Sequence, residues 1–218
     1  MIMTDKKSGR YTVSSEEGFE PDSNEEVLKN KLGIKLREEM EALEESELDR
    51  TEMELLRLFG ENHQFTAQDI CNIHDLWLDD VYYFAGKYRT VNIAKDNFNF
   101  AAASRIEYSM DLLEKDFLSK YTPCHFSDID ELSHALGIVH VELILIHPFR
   151  EGNGRVARLL ADLMAAQAKR PPLNYLSIDQ KINPQGFNNY ILAIHAGLMG
   201  DYEPIKEIFQ TILSESVT

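Results

Sequence analysis

Apolar positions recur at helical spacing along most of the chain. Between Leu36 and Phe59, Leu43, Leu48, Met53, Leu55, Leu56 and Leu58 draw a stripe through a Glu-rich segment whose acidic side reads as a solvated face. Before it, Ser23 followed by Asn-Glu-Glu-Val-Leu-Lys-Asn-Lys-Leu-Gly33 predicts a short helix from Asn24, capped by Ser23. Gly60-Glu-Asn-His63 breaks the period. Thr66 and Asp69 then form a capping-box-like start for a helix through Phe84, with Ile70, Ile73, Trp77 and Val81 on one side and Gly86 as its end. The helical period returns over 104–118, 128–146, 155–169, about 184–198 and 203–214. The run Val139–Ile146 is almost wholly apolar and predicts a buried helix, and Pro171-Pro172 stops the helix after it.

One stretch departs from this rhythm. Tyr88-Arg-Thr-Val-Asn-Ile-Ala94 alternates enough to be extended, Lys95-Asp96-Asn97 reads as a turn, and Phe98-Asn-Phe100 is extended again. The expected fold class is therefore all-α with one small β-hairpin. Residues 1–23 carry few apolar positions and read as a mobile acidic arm, leaving a single domain over 24–218.

Composition narrows the function classes. The chain has 218 residues, 44% of them hydrophobic, enough for one core without staples. Cys71 and Cys124 are its two cysteines and read as reduced, packed thiols. No apolar run reaches the roughly eighteen residues of a membrane span, and residues 1–20 lack a secretory pattern, so a cytoplasmic location is expected. A formal charge of −15 argues against a nucleic-acid or anionic-membrane surface. Phosphate binding, if any, must be local.

The segment His147-Pro-Phe-Arg-Glu-Gly-Asn-Gly-Arg155 offers such a place. Pro148 ends the buried helix, and Gly152 and Gly154 let backbone N–H groups turn inward at the start of the next one. Unpaired N–H groups and the positive end of a helix dipole make an anion site. Arg155 and Arg158, three apart, are expected to fork two phosphates. Glu151 beside them suits a Mg²⁺ that bridges phosphate oxygens, and His147 suits a general base for an incoming hydroxyl. Together these parts describe nucleotidyl transfer. His140, seven residues before His147, reads as a core histidine because no third ligand has metal spacing, and the other histidines as packing or surface residues.

HPFREGNGRVAR over 147–158 resembles the signature of Fic proteins, His-x-Phe-x-Asp/Glu-Gly-Asn-Gly-Arg-x-x-Arg, at every fixed position, and Phe84–Lys95 is similar to the family's upstream stretch. The resemblance implies a helical Fic core, Mg²⁺ and ATP, and transfer of AMP to a Ser, Thr or Tyr of a target protein. It implies His147 as base and Glu151 as Mg²⁺ ligand. It also implies an anion nest at Gly152, Asn153 and Gly154, phosphates on Arg155 and Arg158, and Phe149 packed beneath. The hairpin, about 88–101, would be the family's flap, adding a strand from the target, with Lys95 and Asp96 at its tip near substrate. Asn188 and Tyr190 would meet adenine or ribose, though a plain amphipathic helix explains that segment nearly as well. Ile144 stands where many relatives have Asn, which bears on support of the loop. Arg155, where the sister Doc group has Lys, favours AMP transfer over phosphate transfer.

Many Fic proteins carry an inhibitory helix, Ser/Thr-x-x-x-Glu-Gly/Asn. Thr211–Glu215 is followed by Ser216, and Arg57–Asn62 begins with Arg and contains Gly60, so neither fits. Control by a separate antitoxin-like protein or another subunit is the expectation. Other readings of the same site are a UMP, phosphocholine or phosphate donor, or a non-catalytic nucleotide- or partner-binding module. The partners expected are a target protein at the flap and an inhibitory protein, with self-association left open and no nucleic acid or membrane.

Overall fold

The computed structural model describes residues 12–13, 18–95 and 98–216. Seven helices stand out among them, in chain order α1 (Arg37–Leu58), α2 (Ala67–Leu78) and α3, which starts as Ile106–Leu112 and continues through a π-helical turn at Leu113–Leu118 into Ser119–Tyr121. After them come α4 (Ile129–Ile146), α5 (Asn153–Gln167), α6 (Pro184–Gly197) and α7 (Glu203–Glu215). Three short strands, β1 (Thr12–Val13), β2 (Ile93–Lys95) and β3 (Phe98–Asn99), form one antiparallel sheet in the order β1-β2-β3. The all-α class with a small hairpin is thus observed.

Helix α4 is the axis. Its near-continuous apolar sequence is buried almost all round, with Leu132, Leu136, Val139 and Leu143 in the core. Asp128 caps it by accepting the N–H groups of Asp130 and Glu131. Helices α5, α6 and α7 pack against it, and α1 and α2 close the far side of α5. Gly137 lets α7 approach closely: a Cβ there would lie 3.1 Å from Ile205 Cγ2.

Two predicted helices differ. Residues 24–33 are irregular instead of helical. Asn24 and Glu25 adopt positive φ, which no helix accommodates, and Asn30 holds the turn by accepting the N–H groups of Leu32 and Ile34. Val27 and Leu28 are adjacent apolar residues that both enter the core through this loop, and Leu28 bridges Phe19. Helix α2 starts at the predicted capping box of Thr66 and Asp69 but ends at Leu78, not Phe84. Val81 and Tyr82 are buried by a turn that leads to Gly86 at φ 67°.

Candidate functional site

The loop between α4 and α5 begins with strain. His147, the C-cap of α4, takes a left-handed conformation (φ 53°, ψ 60°), rare for a residue with a side chain and typical of places where packing over-determines the backbone. Arg89 supplies part of that packing. Its guanidinium donates to the carbonyls of His147 (2.8 Å), Val91 (2.7 Å) and Ala101 (2.5 Å) and reaches Ile146 at 3.4 Å, while its own N–H donates to Pro148 (2.8 Å). One buried side chain thereby ties both ends of the hairpin to the loop after α4.

The His147 ring is oriented by backbone. Nδ1 lies 3.0 Å from the Ile144 carbonyl, and because a carbonyl only accepts, Nδ1 carries the proton and Nε2 is the acceptor nitrogen. At Ile144 the main chain, not the side chain, holds the ring. Phe100 of the hairpin stacks on the ring at 3.7 Å. Burial pushes the His147 pKa down to about 3, with the Ile144 carbonyl and then Glu151 pulling the other way. The ring is neutral at neutral pH.

Asn153 locks the turn by accepting the Phe149 N–H and donating to the Phe149 carbonyl, both at 2.8 Å. Phe149 is wholly buried and stacks on His74 at 3.9 Å. His74 accepts the Gly86 N–H at Nδ1 and donates from Nε2 to the Glu151 carbonyl (3.1 Å). Gly152 has φ 82°, and a Cβ there would stand 2.5 Å from Trp77 Cζ3, so only glycine fits. No side chain caps α5 at Gly152, which leaves its first-turn N–H groups for an anion.

The expected site residues separate onto two sides of this loop. His147, Gly154, Arg158, Lys95 and Tyr190 line one cavity of about 250 Å³, walled by Phe98, Phe100, Phe187 and Ile191. Arg155 and Glu151 face the other way. Arg155 donates to Glu44 Oε2 at 2.7 Å, lies 3.5 Å from Glu151 Oε1, and covers the Trp77 ring at 4.4 Å. The expected fork of Arg155 and Arg158 is thus divided, because a buried carboxylate on α1 claims the first arginine. Glu151 accepts the Gly152 N–H and lines a smaller recess with Glu44 and Tyr82. Asn188 is exposed and outside the cavity lining, and Asp96 lies outside the described residues. Tyr190 meets the cavity with its ring while its hydroxyl bonds His140 Nε2 at 2.8 Å, which makes His140 the packed core histidine expected.

The loop thus feeds a helix N-terminus, with a buried histidine on one lip and a short hairpin over the cavity. Residues 64–165 match the profile described as the Fic/DOC family. The chain carries a Fic domain. The protein adenylyltransferase VbhT of Bartonella schoenbuchensis is 33% identical over 167 residues, 73% of this chain and 32% of that protein. The probable protein adenylyltransferase Fic of Escherichia coli K12 is 27% identical over 199 residues, 88% of this chain and 90% of its own. The crystal structure of BepC from Bartonella tribocorum with bound AMPPNP shares the fold at a TM-score of 0.68 and 22% identity, covering 85% of this chain and 91% of that one. The chain spans about a third of the length of VbhT (32%) and about a quarter of the Caenorhabditis elegans fic-1 protein (27%).

Several residues that serve this Fic domain escaped the sequence reading. Glu44 sat in a segment read as a solvated acidic face, yet its Oε1 accepts the Tyr82 hydroxyl (2.6 Å) and its carbonyl accepts Trp77 Nε1 (2.9 Å). The signal was available in retrospect, since Met40, Glu44, Thr51 and Leu55 share the buried side of α1. His195, read as packing or surface, lines the cavity and stacks on Phe98 at 4.7 Å. Among the described residues no helix is long and apolar enough to cross a membrane.

Proposed function

We propose that this Fic domain is a protein adenylyltransferase. A hydroxyl oxygen of a target Ser, Thr or Tyr attacks the α-phosphorus of ATP and passes its proton to Nε2 of His147. The bond from the α-phosphorus to the bridging oxygen of the β-phosphate breaks, and pyrophosphate leaves. The observation that supports this reading is the one cavity lined by His147, Gly154 at the α5 N-terminus, and the cations Arg158 and Lys95. The N–H groups and cations would stabilise charge that develops on the transferring phosphate. Entry of phosphates would also raise the basicity of His147, whose pKa burial holds low.

The apolar walls at Phe98, Phe187 and Ile191 suit a nucleobase or ribose face. Arg155, paired with Glu44, acts as an anchor of the loop. Glu151 lies farther from Arg155 than Glu44 does, at 3.5 Å against 2.7 Å. One carboxylate, with no group of three or more metal-ligating side chains among the described residues, suits a Mg²⁺ held mainly by phosphate oxygens and water. Glu151, which lines the recess on the other side of the loop, would hold it once its side chain turns toward the phosphates, and the ion would neutralise charge on them. A target segment would dock along the hairpin by backbone pairing. Inhibition would come from a separate protein that reaches Arg158: Glu61 lies elsewhere, 3.6 Å from Lys169.

The test is incubation of the chain with a target lysate, Mg²⁺ and ATP labelled at the α- or γ-phosphate, beside His147→Ala. Covalent label from the α- but not the γ-phosphate, lost in His147→Ala, is the expected result. Label from γ alone means phosphoryl transfer, and label from neither leaves another donor or a binding module.

A further inference from the structure

The hairpin over the cavity is not a two-stranded element. Strand β2 is central: one edge pairs with β3 through Ala94↔Asn99 and Lys95↔Phe98, and the other pairs with β1 through Thr12↔Ala94 and Val13↔Ile93. The outer edge of β2 is therefore already taken, by this chain's own N-terminal segment. Strand β2 itself reaches the site, because Lys95, its last residue, lines the cavity shared with His147.

Resting on the proposed target docking, we propose that residues 12–13 are the resident occupant of the docking edge, and that an extended target segment must displace them. Three observations argue for exchange. A strand edge accepts any extended backbone that presents N–H and C=O groups in register, so the edge does not discriminate between this segment and another. The pairing is two residues long, too short to be stable alone. Third, only residues 14–17 separate β1 from Gly18, where a Cβ would stand 3.3 Å from the Arg150 guanidinium, and Phe19 lies 5.9 Å from that guanidinium. A short tether of this kind gives an effective concentration on the order of millimolar, so a weak strand stays bound until a better one competes. The sequence Tyr11-Thr-Val-Ser-Ser15 also contains hydroxyl residues, the chemical class the proposed reaction uses.

The test uses the full chain and does not depend on nucleotide transfer. Hydrogen exchange of the Val91–Lys95 segment is followed in the native chain and in Thr12→Pro/Val13→Pro, whose prolines cannot pair as a strand. Exchange about tenfold faster in the variant is expected, with unchanged far-UV circular dichroism. A synthetic peptide of residues 8–17 added to the variant should restore protection, and a scrambled peptide should not. Equal exchange in the two chains, or no protection by the peptide, overturns the proposal. Either result leaves the adenylyltransferase reading to the labelled-ATP experiment. If that one fails while exchange behaves as expected, the edge is a docking site for a different activity.

Discussion

The contact that most directly links α1 to the start of α5 is the ion pair of Glu44 and Arg155, and it admits a quantitative test. The Glu44 side chain is 3% exposed and Arg155 21%, so the pair is largely shielded from water. Glu44→Gln keeps an acceptor for the Tyr82 hydroxyl but removes the charge, leaving Arg155 on the Trp77 face with Glu151 as its remaining anion at 3.5 Å. Breaking a buried pair from one side costs about 3–5 kcal/mol, and the partial exposure of Arg155 places this case near about 3. For a chain of this size that is a fall in Tm of about 6–12 °C. Denaturant unfolding of Glu44→Gln, Arg155→Gln and the double variant closes a cycle, and a coupling of about 2 kcal/mol is expected. Additivity within about 0.5 kcal/mol would show that the two side chains do not hold each other, and the anchoring role assigned to Arg155 would fall.

Further outcomes follow from the same geometry. Gly152→Ala should cost at least about 2 kcal/mol and remove activity, because it sets a Cβ 2.5 Å from Trp77 at φ 82°; a stable, active variant rejects the packing described. Arg89→Lys cannot reproduce a fork over four carbonyls, so exchange at both 91–95 and 147–150 should quicken together, and quickening in one segment alone denies the tie. Burial pushes the Asp162 carboxyl from 3.8 up to about 7, so its contribution is present below about pH 4 and lost as pH rises through 7. Asp162→Asn should therefore gain on the native chain between pH 4 and 8, by at most about 4 kcal/mol, and a gap in urea stability that does not change with pH refutes this. Burial also holds His74 at about 4 and His140 and His147 at about 3. Each contributes stability above its ordinary 6.5 that is lost as pH falls toward the folded value, against the carboxyls of Asp162, Glu52 and Glu142, which burial raises and which act with the opposite sign. Urea midpoints that do not fall between pH 6.5 and 5 contradict a larger share for the histidines.

Much of the site was legible because its parts are contiguous. His147, Glu151, the glycines and the two arginines lie within one loop and one helix turn, where spacing constrains geometry. What spacing could not do was choose sides. Arg155 and Arg158 are three apart on a helix, and which of them meets the cavity depends on Glu44, more than a hundred residues earlier in the chain and buried in a helix that reads as surface. Charge composition misled there because a carboxylate in the core looks, in sequence, like its exposed neighbours. The predicted helix at 24–33 failed for a related reason: Ser23 and Gly33 are good boundary residues, but two adjacent apolar side chains bury more readily from an irregular turn that Asn30 can hold.

By itself the sequence determined the helical class, the capping box at Thr66, the hairpin around Lys95, and the break between the buried helix and α5 at 147–152. Each of these rests on interactions between residues close along the chain, where periodicity, turn residues and caps act. Tertiary structure alone decided that Arg155 turns toward α1, that Phe100 covers His147, and that Thr12–Val13 closes the outer edge of β2. Those choices are settled by burial and by pairing between distant segments, whose energies depend on which surfaces meet after the chain has folded.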